Sequence, residues 1–105
     1  MITKVFAVYD SKALLYQAPF FLPATGAAIR AFSDAVNDPQ TVLSRHPGDY
    51  VLYQVGEFND SDGTLKTVAP AVHLGIGTDY VERKPQVLTP DMLKAVAAEG
   101  ANHGS

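Results

Sequence analysis

The sequence has neither cysteine nor tryptophan among its 105 residues. A chain without cysteine forms no disulfide, has no thiol nucleophile and holds no Cys-ligated zinc. The chain also has no apolar run near the roughly 20 residues needed to cross a bilayer, and Asp10 interrupts its N-terminal segment. We therefore expect no signal sequence and no membrane span, and a soluble protein in a reducing cytosol.

Positive charge is also scarce. Eight Lys and Arg residues face 11 Asp and Glu residues, which leaves a net charge of −3 and argues against strong nonspecific phosphate binding. The charge is unevenly distributed, because residues 1–45 carry one more base than acids, whereas residues 46–105 carry an excess of four acids. An anionic partner should therefore prefer a surface built mainly from the first half.

The sequence gives no indication of a metal site. His46, His73 and His103 are far apart, in a predicted turn, a strand and a tail, and metal ligands usually cluster. The "NDSDG" segment (59–63) resembles a calcium loop, but the alignment places Phe58 and Ala69 where carboxylates are required. We expect no metal and read the segment as a hairpin loop.

Patterns typical of cofactor binding or catalysis are also missing. "GIG" (75–77) has neither a third glycine nor a following Lys-Ser/Thr pair, so it does not make a phosphate loop. There is no G-x-S-x-G elbow. Asp49 and Glu57 could form an acid–base pair, but carboxylates beside a hairpin are usually solvated. We expect no cofactor and no enzymatic activity.

Several segments have the composition of β-strands. Residues 2–10 are apolar on both alternating faces, which predicts a central strand. Residues 15–22 are interrupted by Pro19, which predicts a short or edge strand. The other predicted extended segments are a hairpin formed by 50–58 and 64–68, and a further strand at 72–84.

Two segments are predicted to be helices. Residues 25–38 carry apolar side chains at helical spacing, with Thr25 as the cap, an exposed Arg30–Asp34 pair and Pro39 as the stop. Residues 90–99 follow Thr89 and end at a glycine.

The order of these segments predicts an α+β fold with a small, mainly antiparallel sheet, one main helix (25–38) and a C-terminal helix (90–99). We expect residues 1–86 to form a single globular domain. Residues 87–105, the C-terminal helix and a frayed tail, are expected to be appended to it.

Aromatic residues lie close to basic residues in several places. Single-strand binders stack bases on aromatic side chains while basic side chains follow the phosphates, although tyrosine and phenylalanine are equally common in half-buried strands and cores. The candidate phosphate contacts are Lys4, Lys12, Arg30 and Arg45, and the candidate stacking residues are Tyr9, Tyr16, Tyr50 and Tyr53. Strand alternation puts Tyr50 and Tyr53 on opposite faces, and we expect Tyr50, beside Arg45, to be the better stacking residue.

Five segments within residues 4–70 resemble the small non-structural protein of gokushovirus-type microviruses, which are bacteriophages with single-stranded DNA genomes. The segments occur in the order expected for that family: "KVFAVYDSKA" (4–13), "PFF" (19–21), "GAAIRAFSDAVND" (26–38), "HPGDY" (46–50) and "LYQVGEFND…G" (52–63). The resemblance implies a DNA-binding protein that acts at the switch toward single-stranded genome synthesis and packaging. It supplies no catalytic residue.

From the residues and the resemblance together we expect a protein that binds single-stranded DNA in the host cell cytoplasm. A small chain with few charges needs several copies to cover a strand, so we expect a homodimer or larger homo-oligomer, associating along an exposed edge at 15–22 or 72–84. The alternative is an interaction module for the viral replication initiator, a host replication factor or the procapsid, which the net acidity favours. A scaffolding subunit is the third reading.

Overall fold

One long helix packs against one face of a five-stranded antiparallel sheet in the computed structural model, which describes residues 1–82. The predicted α+β class with a mainly antiparallel sheet is confirmed. The strands are β1 (Ile2–Asp10), β2 (Leu15–Tyr16), β3 (Phe20–Leu22), β4 (Tyr50–Asn59) and β5 (Leu65–Ile76). The helices are α1 (Thr25–Asn37) and the short α2 (Val42–Arg45), and 3-10 turns span Pro47–Asp49 and Gly77–Tyr80.

Strand β1 lies in the centre of the sheet, as its sequence predicts. The strand order is β2-β1-β4-β5, and β3 pairs with β1 along the same edge as β2. Four consecutive β1 residues, 5–8, are buried, so both faces of this strand are covered. The segment 15–22 forms the short edge that its prolines predict: it breaks into β2 and β3, with Pro19 between them.

Helix α1 covers one face of the sheet. Its buried residues Ala28, Phe32 and Val36 pack with Phe6 and Leu52 in the core. The predicted cap is wrong: Ala24 occupies the N-cap position and makes no side-chain cap bond. The Thr25 hydroxyl instead accepts a hydrogen bond from Lys4 Nζ at 3.1 Å.

The expected Arg30–Asp34 ion pair does not form. Among residues 1–82 the one ion pair joins the N-terminal amine to Asp60 at 2.7 Å. In Arg30–Asp34 the base precedes the acid along the helix, which is the weaker of the two orientations for an i,i+4 pair. Both side chains are exposed, so water competes for them.

The predicted hairpin forms between β4 and β5, but β5 continues through Pro70 to Ile76 as one strand rather than two. The pairing moves from Gly56 opposite Thr67 to Gln54 opposite Val72, so residues 68–71 have no register partner on β4. Pro70 therefore interrupts no bond between the two strands, which explains why the strand tolerates it.

The outer edge of β5 is partly occupied by side chains of its own chain. The Tyr80 hydroxyl donates to the Leu74 carbonyl at 2.7 Å, and the Asp79 carboxylate accepts from the Ile76 amide at 3.1 Å. Lys66 and Pro70 lie earlier in the strand and are typical of protected edges. Association of copies along residues 72–76 would have to displace these bonds. The expected homo-oligomer remains a prediction.

The predicted C-terminal helix (90–99) and tail lie outside the described residues. The domain boundary at residue 86 lies there too and remains a prediction. Among the helices of residues 1–82, none is long and apolar enough to cross a membrane.

Candidate nucleic-acid interface

The sheet has a second face that no helix covers within residues 1–82. Side chains alternate between the two faces of a strand, so the residues opposite the α1 side follow from the strand register. We call this surface the open face; its residues are Thr3, Val5, Ala7, Tyr9, Tyr16, Phe21, Val51, Tyr53, Gly56, Phe58, Leu65, Thr67, His73 and Ile76. None of them is Lys, Arg, Asp or Glu, although the whole chain carries 19 such residues.

Four aromatic side chains, one each from β2, β1, β4 and β5, form a contiguous series across the open face. The ring centroids lie 4.8 Å apart for Tyr9 and Tyr16, 5.9 Å for Tyr16 and Tyr53, and 5.6 Å for Tyr53 and His73. We call these four residues the aromatic row. Their ring planes are inclined by 55° to 87° to each other, so neighbouring rings do not cover each other face to face.

Small residues of β1 allow these rings to meet. Ala7 lies opposite Tyr53 in the register and is only 3% exposed, although no helix of residues 1–82 covers it. Farther along β1, Phe21 and Phe58 meet at 5.8 Å beside Val5, which is 4% exposed. The aromatic side chains thus bury the centre of the open face. Tyr16 nevertheless remains 48% exposed, so ring surface is left for a ligand.

The expectation that Tyr50 is the better stacking residue is wrong. Tyr50 lies opposite Asp10 on the α1 side and is 7% exposed in the core, with Val8, Phe32 and Leu52. Burial raises the pKa of its hydroxyl, and the negative charges of Asp10 and Asp49 raise it further. A base cannot reach this ring, whereas Tyr53 lies on the open face.

The predicted basic residues do not gather on the open face. Lys4 lies on the α1 side and bonds Thr25, Arg30 is exposed on α1, and Arg45 is exposed at the end of α2. Lys12 comes nearest along the chain, in the turn that joins the strands carrying Tyr9 and Tyr16. The Asp10 carboxylate holds this turn by accepting from the Lys12 and Ala13 amides at 3.0 and 3.1 Å. One predicted cation, Lys12, thus lies at the rim of the aromatic row.

His73 belongs to the candidate site, although the sequence pattern did not identify it. Residues 1–82 contain no group of three His, Asp or Glu side chains placed to hold a metal ion. His73 instead lies directly opposite Tyr53. Its position depends on residues 68–71 being skipped in the pairing, which strand alternation alone does not reveal.

Comparison with known proteins identifies a family. A family model described as phage ORF5 protein matches residues 3–80, which includes every strand and helix described above apart from the first residue of β1. No curated protein and no solved structure matches the chain. The chain belongs to the phage ORF5 protein family and is a bacteriophage protein.

Proposed function

We propose that this phage protein binds single-stranded DNA through the open face, with bases stacking on the aromatic row. The observation that carries the proposal is the contiguous series Tyr9, Tyr16, Tyr53 and His73 on a sheet face that no helix of the described residues, 1–82, covers. Stacking of a base on an aromatic side chain contributes about 1–3 kcal/mol and tolerates any base. Two or three such contacts would give useful affinity without sequence preference.

The charge distribution supports stacking over phosphate contacts as the main source of affinity. The open face carries no carboxylate that would repel a phosphate, despite the net charge of −3. It also carries no Lys or Arg, and Lys12 lies only at its rim. Each phosphate contact with a single strand adds about 0.7 to the slope of log affinity against log salt. We therefore expect a shallow salt dependence, equivalent to about one or two contacts.

The resemblance to gokushovirus-type proteins supports a narrower role for this binding. We place it in viral genome replication in the host cell cytoplasm, at the switch toward single-strand synthesis and packaging. The role is binding without catalysis. Several copies, as a homodimer or larger homo-oligomer, would cover a strand.

The experiment is an anisotropy titration of labelled oligo(dT) with Tyr16 variants of the full chain. Tyr16→Leu keeps an apolar side chain over Ala7 but removes the aromatic face, so affinity should fall by about five- to 150-fold, the equivalent of one stacked base. Tyr16→Phe keeps the ring and should bind like the wild type. Equal binding by Tyr16→Leu, Tyr16→Phe and the wild type would contradict the proposal.

A second candidate function uses the same face for a protein partner. The absence of charged side chains from the open face, together with the exposure of Phe21 and Leu65, favours an apolar protein contact. The partner would be the viral replication initiator, a host replication factor or a procapsid protein. No oligonucleotide binding at low salt, together with recovery of one of these proteins that Tyr16→Leu abolishes, would favour this function.

A further inference from the structure

We propose that His73 provides the aromatic row with a proton-dependent contact to a DNA phosphate, so that the protein binds single-stranded DNA more tightly as the pH falls. The inference deepens the proposed function and rests on it. It gives His73, a member of the aromatic row, a second contact with the DNA and adds a form of regulation to the open face.

The position of His73 fits a contact at the end of the row. Its ring meets the Tyr53 ring edge-on, with centroids 5.6 Å apart and planes inclined by 87°, and its side chain is exposed. It lies on β5, at the opposite end of the aromatic row from Tyr9 and Tyr16. A DNA strand whose bases stack on the tyrosines therefore passes His73 at the end of the aromatic row.

Histidine is the side-chain type whose charge changes between about pH 5 and 8, and His73 is the one histidine on the open face among residues 1–82. Tyr53 faces it from β4. The adjoining strands carry Glu57 on β4 and Lys66 on β5. These two residues lie opposite each other in the strand register, on the α1 side of the sheet. Asp79, in the following 3-10 turn, is bonded to the Ile76 amide. Protonation of His73 therefore changes the open face from uncharged to singly positive.

A phosphate is the part of the strand that responds to this change. An imidazolium donates from both ring nitrogens, whereas a neutral imidazole donates from one and accepts at the other. A charge-assisted hydrogen bond to an anionic oxygen is stronger than its neutral counterpart. One solvent-exposed contact of this kind should change affinity by roughly two- to fivefold.

The test is a titration with labelled oligo(dT) at about pH 5.5 and about pH 8, on either side of the histidine range. Thymine is used because it does not titrate in this interval. The wild type should bind roughly two- to fivefold more tightly at the lower pH. Its salt slope should also be steeper there by about 0.7, the value for one phosphate contact.

Three variants separate this contact from other effects. His73→Gln should show neither the tighter binding nor the steeper salt slope at the lower pH. His73→Lys should bind tightly at both pH values. His46→Gln should behave like the wild type, because His46 lies exposed at the end of α2, off the open face. A pH response that persists in His73→Gln overturns the inference but leaves the proposed function standing. No binding by the wild type at either pH overturns both.

Discussion

The two faces of the sheet use the same strands in opposite ways. On the α1 side, Phe6 and Leu52 are 0% exposed beneath the helix and form the centre of the core. On the open face, Val5 and Ala7 are nearly as buried, but the residues that cover them are aromatic side chains of neighbouring strands. Those rings are only partly buried, and Tyr16 and Phe21 are about half-exposed. The open face therefore buries its centre while leaving aromatic surface available for binding.

The difference shows how one set of residues can serve both stability and binding. A helix-covered face has no surface left for a ligand, whereas a ring that covers a small residue can present its other side to a base. Ala7 is the key position, since a larger residue there would separate Tyr16 from Tyr53, whose ring centroids lie 5.9 Å apart above it.

The largest expected effect is on the free energy of unfolding, measured for two single variants that each remove a phenylalanine from one face. Phe6→Ala should lower the free energy of unfolding by about 3–5 kcal/mol, as for other buried Phe→Ala changes. Phe21 is 47% exposed, so Phe21→Ala should cost only about 1 kcal/mol. Urea unfolding measures both, and a Phe6→Ala chain that fails to fold agrees with this ranking. Equal losses would show that the two faces do not differ as described.

A smaller effect concerns the tyrosine on the α1 side. Burial raises the pKa of Tyr50 above its ordinary value, with Asp10 and Asp49 contributing, so folding favours the neutral hydroxyl. The resulting stabilisation is complete below about pH 10, the ordinary tyrosine value, and is lost as the pH rises through the raised pKa. Tyr50→Phe should therefore lose less stability than the wild type above about pH 10 in thermal melts. The same alkaline loss in both proteins would contradict the assignment.

Strand alternation was enough to predict that Tyr50 and Tyr53 lie on opposite faces of the sheet. The apolar pattern of β1 was enough to predict its central position in the sheet. The sequence did not reveal which face α1 would cover, because that depends on how the helix returns to the sheet. Tyr50 shares its face with Leu52 and, through β1, with Phe6 and Val8. That shared apolar face was the available signal for its burial.

The rest of the site depends on long-range register. His73 joins the aromatic row only because the β4–β5 pairing skips residues 68–71, and no local pattern predicts a skip of that length. Lys4 is off the open face for a local reason instead. Lys4 and Tyr9 lie in one strand, yet alternation sends Lys4 to the α1 side. Closeness in sequence therefore did not bring cations and tyrosines to one surface.

The most direct test of the central claim is an NMR titration of the full chain with oligo(dT), following the backbone amides of the two faces. We predict the largest shift changes at Tyr9, Tyr16, Tyr53 and His73, with little change at Arg30 and Asp34 on the exposed side of α1. Changes centred on α1, or none on the open face at saturating oligonucleotide, would contradict the assignment of DNA binding to the aromatic row.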